Sequence, residues 1–424
     1  MTTLLRCLLG ATLLLLTGSG YAKPIFSDTT RAFAVPTLTR TPAGTVALSW
    51  TEKDADETVY FYWAESTDNG RTFGNRKLIF RSKGMSGSRL MRPKLLFRQN
   101  GQPVAVFALR GPDVPAPAEP AHAHHDHGAA ASAQKPPAEA PKAEKRGGGR
   151  PSDLQIVYCT STDGGNTWTA PAPVHQDRSP KTVRGFFDAT VLANGEVAVA
   201  YLNDIPGKPH ERDLRLVTTT NGRFGAEKVL DPFVCDCCNI SLLVDGAGTL
   251  HVYYRENQNN IRDIARLSST DHGRTFSKPA ILSPDNWQVN GCPHSGPTSS
   301  AGGGANLVAW FSGATDAPGI RVVDGQGKRL VVIGEPTAKN AYLVPTPAAS
   351  VLLWEQSAPT EAGPASVIAY QTIRSGAGSP VQFVAQSMNG TNASGLVSNG
   401  QLIVAYEVRN PNNKNSIQVA QLAL

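Results

Sequence analysis

The chain is 424 residues long with a formal net charge of +6, and its basic side chains are spread along the sequence without a block, which argues against nucleic-acid binding. Its 40 glycines and 31 prolines suit many short strands joined by turns, and the length is enough for one large all-β domain with a full core. Beyond the N-terminal stretch, no uncharged apolar run is long enough for a membrane helix.

The first predicted element is a targeting segment. Arg6 and Cys7 precede an apolar run from Leu8 to Leu16, and Gly20-Tyr21-Ala22 follows as a small-x-Ala site. The run is too short to span a bilayer, so residues 1–22 are expected to be a signal peptide cut after Ala22, with the mature chain, residues 23–424, periplasmic or secreted. Export leaves Cys159, Cys235, Cys237, Cys238 and Cys292. In an oxidising compartment an odd set leaves at least one thiol unpaired or bound to something.

Three stretches then repeat one pattern, Ser-Thr-Asp-x-Gly-x-Thr-aromatic: Ser66 to Phe73, Ser161 to Trp168 and Ser269 to Phe276. Each lies between runs of β-formers. It reads as a hairpin turn in which Asp accepts local N–H bonds, Gly supplies positive φ and the aromatic anchors the turn. The motif resembles the Asp-box of the sialidase (neuraminidase) superfamily and related propellers. A worn copy, Thr219 to Phe224, and further turns at Asp324 to Gly327 and Ser375 to Gly378 continue the rhythm.

The intervals share a period of about 50–60 residues once a foreign segment, residues 111–150, is removed. Six units result. The third reads as strands Asp188 to Leu192, Glu196 to Leu202, Asp213 to Thr219 and Glu227 to Leu230. Six four-stranded units predict an all-β, six-bladed β-propeller with Asp-box turns, closed by Ser416 to Leu424 pairing with the first blade. The foreign segment is rich in Ala, Pro, Lys and Glu, and its composition predicts disorder. It holds His122, His124, His125 and His127, which read either as a solvated low-complexity loop or as a metal-catching arm.

In a propeller the connectors between blades and the loops joining second to third strands share one face, here termed upper. Aligning the inner strands on Val35-Pro36-Thr37, Arg92-Pro93-Lys94, Asp188, Asn239, Gly296 and Val344-Pro345-Thr346 brings Met85, Met91, Cys235, Cys237, Cys238, Cys292, His294 and Met388 to that face. Thiolate, thioether and imidazole suit copper(I) or zinc and suit calcium or magnesium poorly. A soft-metal site is therefore one expectation, with Cys235, Cys237, Cys238, Cys292, His294, Met85 and Met91 as its ligands. Disulfide staples between connectors and thiol redox chemistry are the alternatives for the same cysteines, and core packing is the alternative for the methionines. Cys159 lies in a third strand beside a box and is expected to be a packed core thiol.

The superfamily resemblance implies a second chemistry. Its catalytic members clamp a substrate carboxylate with three arginines, use a tyrosine paired with a glutamate as nucleophile and supply an aspartate as acid. The family's Arg-Ile-Pro-like signature is replaced by Ala34-Val35-Pro36. Arg92, Arg255, Arg262 and Arg409 are candidates for a different clamp, Tyr254 with Glu256 and Tyr406 with Glu407 for the phenol-carboxylate pair, and Asp188, Glu256, Asp263 and Glu407 are the upper-face carboxylates. The expected partner is then a metal ion, a sialic-acid-like glycan or, for a plain scaffold, another protein bound at the rim.

Overall fold

The structure, a computed structural model, describes residues 26–111, 153–208 and 210–424. The expected signal peptide and the histidines at 122–127 lie outside the described residues. Among the described residues the strands form seven sheets, so the propeller has seven blades where six were expected. Blade 1 consists of Ala32–Arg40, Val46–Lys53, Val59–Ser66 and Lys77–Ser82, paired antiparallel in sequence order. The inner strands of blades 2 to 6 are Lys94–Phe97, Arg184–Val191, Ser241–Val244, Thr298–Gly302 and Lys339–Pro345. In blade 6 the inner strand ends at Pro345, so the expected alignment on Val344-Pro345-Thr346 was displaced toward the wrong end of that strand.

Blade 7 is made of Gly390–Ser398, Gln401–Val408 and Ser416–Ala423. It escaped detection because it has no turn from a third to a fourth strand. Its fourth position is filled from the other end of the chain, where Phe26 and Ile417 exchange backbone hydrogen bonds of 3.4 and 2.9 Å. The C-terminal strand therefore pairs with Gln401–Val408 of its own blade, and not with blade 1. Seven apolar layers follow from this closure, each packed between two neighbouring blades, with the layer between blades 7 and 1 holding Phe33, Trp50 and Ile403. Phe26 stacks on Trp50 with ring centroids 4.2 Å apart. Phe26→Ala is expected to cost about 2 kcal/mol, below the value for a fully buried ring because Phe26 is only half-buried, as read from a urea-unfolding midpoint.

The box turns form as the sequence requires. Thr72 donates its backbone N–H and its hydroxyl to the Asp68 carboxylate at 2.9 and 2.6 Å, and Gly70, at φ 78°, donates to Ser66 Oγ at 2.8 Å. The same contacts recur at Asp163 and Asp271. The Thr72 hydroxyl and N–H hold the Asp68 carboxyl down to about 2. Phe73, Trp168 and Phe276 pack against the layers between blades, so each turn anchors a blade to its neighbour.

Candidate metal centre on the upper face

Two connectors meet on the upper face. The first, from the outer strand Lys228–Val234 of blade 3 to the inner strand of blade 4, carries Cys235, Cys237 and Cys238. The second, from Ala280–Ser283 of blade 4 to the inner strand of blade 5, carries Cys292 and His294. Asn239 latches them together: its Oδ1 accepts from the Gly296 N–H at 3.0 Å and its Nδ2 donates to the Pro297 carbonyl at 3.3 Å. The approach is so close that a Cβ on Gly296 would fall on the Asn239 carbonyl oxygen. Gly296→Ala is thus expected to push the second connector away and weaken metal binding at Cys292 and His294, measured by metal affinity of the folded variant.

Within the cluster, Cys235 Sγ lies 3.8 Å from Cys237 Sγ and 3.6 Å from Cys238 Sγ, and the last two are 4.0 Å apart. A disulfide needs about 2.0 Å. Thiolates sharing one ion at about 2.3 Å stand about 3.8 Å apart in a tetrahedron and about 4.0 Å apart in a trigonal plane, and all three separations fall near these values. Cys237, Cys292 and His294 form a second group whose ligand atoms lie within 4.8 Å of one another. The first group is buried under the Phe186 ring, whereas Cys292 and His294 are exposed.

The thiols are electrostatically interdependent. Hydrogen bonds from Cys237 and Cys238 hold the Cys235 thiol well below the ordinary thiol value, while the bond to Cys235 pushes Cys237 up and burial pushes Cys238 up. A bond from Cys237 lowers Cys292. Four adjacent thiolates repel one another, and a cation between them removes that cost. Arg262 acts on Cys235 and Arg255 on Cys238, both favouring thiolate, and the Nε and Nη1 of buried Arg262 have no protein acceptor.

Two side chains near the cluster were not anticipated. Asp236 Oδ1 accepts from Cys292 Sγ at 3.6 Å, and its Oδ2 lies 3.7 Å from His210 Nδ1, on the loop joining second and third strands of blade 3. The alternation of Cys235, Asp236 and Cys237 was visible in the sequence, but the partner at 210 depends on packing. The methionines sit elsewhere. Met85 is buried in the layer between blades 1 and 2, Met91 packs on the layer between blades 2 and 3 with its sulfur over Gly185, and Met388 is exposed. Cys159 lies fully buried in the layer between blades 1 and 2, and burial pushes its thiol up to about 12.

The residues considered for glycan chemistry are engaged in holding blades together. Glu407 accepts from the backbone N–H of Val35 in blade 1 at 2.6 Å and from Asn392 Nδ2 at 2.9 Å. Glu355 makes the same bond one blade earlier, to the N–H of Asn392 at 2.7 Å, so both carboxylates are struts at one structural position. Tyr406 precedes Glu407 in a strand, points into the layer between blades 6 and 7, and donates to the Gln386 carbonyl at 3.4 Å. Asp188 pairs with Lys94 of blade 2 at 2.6 Å and accepts from Leu242 N–H of blade 4 at 2.8 Å. Arg92 donates to the carbonyls of Pro36 and Asn392 at 2.8 and 3.1 Å. Arg255 lies in the strand Leu250–Arg255 and donates to the carbonyls of Ser295, Phe311 and Arg262. Tyr254 and Glu256 share one side of that chain segment. Tyr254 donates to Asp231 at 2.6 Å, Asp231 neighbours Glu256, and burial pushes the Glu256 carboxyl up to about 7.

Comparison with known proteins agrees with this architecture. Residues 139–292 match the BNR repeat-like domain family. A crystal structure of a protein of unknown function from Dyadobacter fermentans superposes with a TM-score of 0.54 at 14% identity, covering 95% of this chain and 97% of that one. The NanB sialidase from Streptococcus pneumoniae superposes with a TM-score of 0.51 at 12% identity, covering 96% and 71% respectively. No curated protein sequence matches. The chain shares the β-propeller fold of these structures, and the BNR repeat-like match covers residues 139–292. Among the described residues no helix is long and apolar enough to cross a membrane.

Proposed function

We propose that this sialidase-like propeller is an exported protein that binds a soft metal on its upper face, copper(I) in preference to zinc, through Cys235, Cys237, Cys238, Cys292 and His294. The observation that carries the reading is the triangle of buried sulfurs at 3.6, 3.8 and 4.0 Å, joined through Cys237 to an exposed thiol and imidazole. Soft thiolates select copper(I) over harder ions. Three-sulfur sets fill the low coordination number that copper(I) accepts, while zinc closes with four ligands. Between Arg110 and Leu154, the last pair of the second and third strands of blade 2, the sequence carries His122, His124, His125 and His127, whose imidazoles would raise local metal capture.

The test is a competition titration of the reduced full-length chain with copper(I) against a colorimetric chelator. Cys235→Ser is expected to weaken retention at the buried triangle by more than about 100-fold, beyond the effect of losing a residue that merely supports a ligand. A wild-type chain that yields all its copper to a weak chelator would remove the reading. A second reading, an exo-acting glycosidase on sialic-acid-like sugars, is favoured by the buried Asp231, Tyr254 and Glu256 group on the same face. It requires release of a fluorescent leaving group from a sialoside, lost in Glu256→Gln; the copper reading expects no release from the wild type.

A further inference from the structure

The five ligands do not form one set. Cys235, Cys237 and Cys238 are mutually close, and so are Cys237, Cys292 and His294, but the two groups overlap only at Cys237. The ligand atoms of each group lie within 4.8 Å of one another, close to the span of about 4.6 Å, twice a metal–thiolate bond, that two ligands of one ion can reach, so a small closure of the side chains brings each group of three onto its own ion. We propose, resting on the soft-metal reading above, that the upper face holds two copper(I) ions bridged by the Cys237 thiolate, one bound by Cys235, Cys237 and Cys238 and the other by Cys237, Cys292 and His294.

Charge permits two ions. Four thiolates carry four negative charges, each cuprous ion offsets one, and each binding thiol gives up its proton. Two ions leave a net charge of −2, set among Arg255 and Arg262 at the buried sulfurs, Arg89, whose guanidinium lies 3.4 Å from the His294 carbonyl, and the Asp236 carboxylate against Cys292. Two N–H groups of buried Arg262, which acts electrostatically on Cys235, have no protein acceptor. The two halves also differ in access: the Phe186 ring covers Cys235, Cys237 and Cys238, while Cys292 and His294 face solvent. The outer ion is the exchangeable one, and the shared Cys237 sulfur is the path between the halves.

The full chain, reduced and handled without oxygen, is titrated with copper(I) in the presence of excess bathocuproine disulfonate, and bound copper is counted per chain. Two ions are expected in the wild type and in a variant with His122, His124, His125 and His127 changed to Ala. One ion is expected in Cys292→Ser, which alters an exposed side chain, and one in Cys238→Ser. A wild type that saturates at one ion, lost in both cysteine variants, overturns the bridged pair and leaves the soft-metal reading standing. A wild type that retains none overturns both.

Discussion

Cys237→Ser is expected to abolish tight copper binding altogether, whereas loss of any other ligand leaves one half of the cluster intact. Cys237 alone belongs to both ligand groups. A serine hydroxyl is a hard donor that stays protonated near neutral pH, so neither copper nor the charge balance is served by it. Bound copper measured after gel filtration should fall to the background of the unliganded chain, with the circular dichroism of the sheet unchanged. Retention of one ion in Cys237→Ser would mean that the groups do not depend on a shared sulfur.

Arg255→Met is expected to destabilise the fold by about 3–5 kcal/mol and to weaken metal binding together with it. The guanidinium is fully buried and reaches three carbonyls from three segments: Ser295 at 2.9 and 2.7 Å, Phe311 at 2.9 Å, and Arg262. Methionine has the length but no donors, so those acceptors lose charge-assisted bonds inside the protein. Ser295 follows His294 directly, so the guanidinium holds the second connector, while the main-chain carbonyl of Arg255 accepts from the Cys235 N–H of the first at 3.1 Å. Chemical denaturation gives the stability, and copper competition gives the affinity. An unchanged unfolding midpoint would show that the network carries little energy.

Turn chemistry made most of the architecture legible. Ser-Thr-Asp-x-Gly-x-Thr-aromatic needs a carboxylate, a positive φ and an anchor at fixed offsets, and each was found in place at Asp68, Asp163 and Asp271. The seventh blade was illegible for the same reason: a turn-based count cannot register a blade whose fourth strand comes from the opposite terminus, here at Phe26. Connector order alone placed Cys235, Cys237, Cys238, Cys292 and His294 on one face, because propeller topology maps sequence position onto face. What pulls them into contact, the Asn239–Gly296 latch and the Arg255 clasp, depends on packing between blades that are distant in sequence.

Residue chemistry misled where blade packing recruits it. Arg255 and Arg92 have the charge of a carboxylate clamp, yet the bonds of both go to backbone carbonyls. Glu407 has the chemistry of a catalytic carboxylate, but it bonds the backbone of the next blade as Glu355 does. Met85 and Met91 lie on the upper-face connectors as expected, and their thioethers fill the layers beneath.

The most direct test is X-ray absorption at the copper edge on the loaded full-length chain. A first shell dominated by sulfur at about 2.3 Å is predicted, with a minor nitrogen contribution from His294. A shell of nitrogen and oxygen alone at about 2.0 Å would place the metal on imidazoles elsewhere in the chain and contradict a thiolate centre at Cys235, Cys237, Cys238 and Cys292.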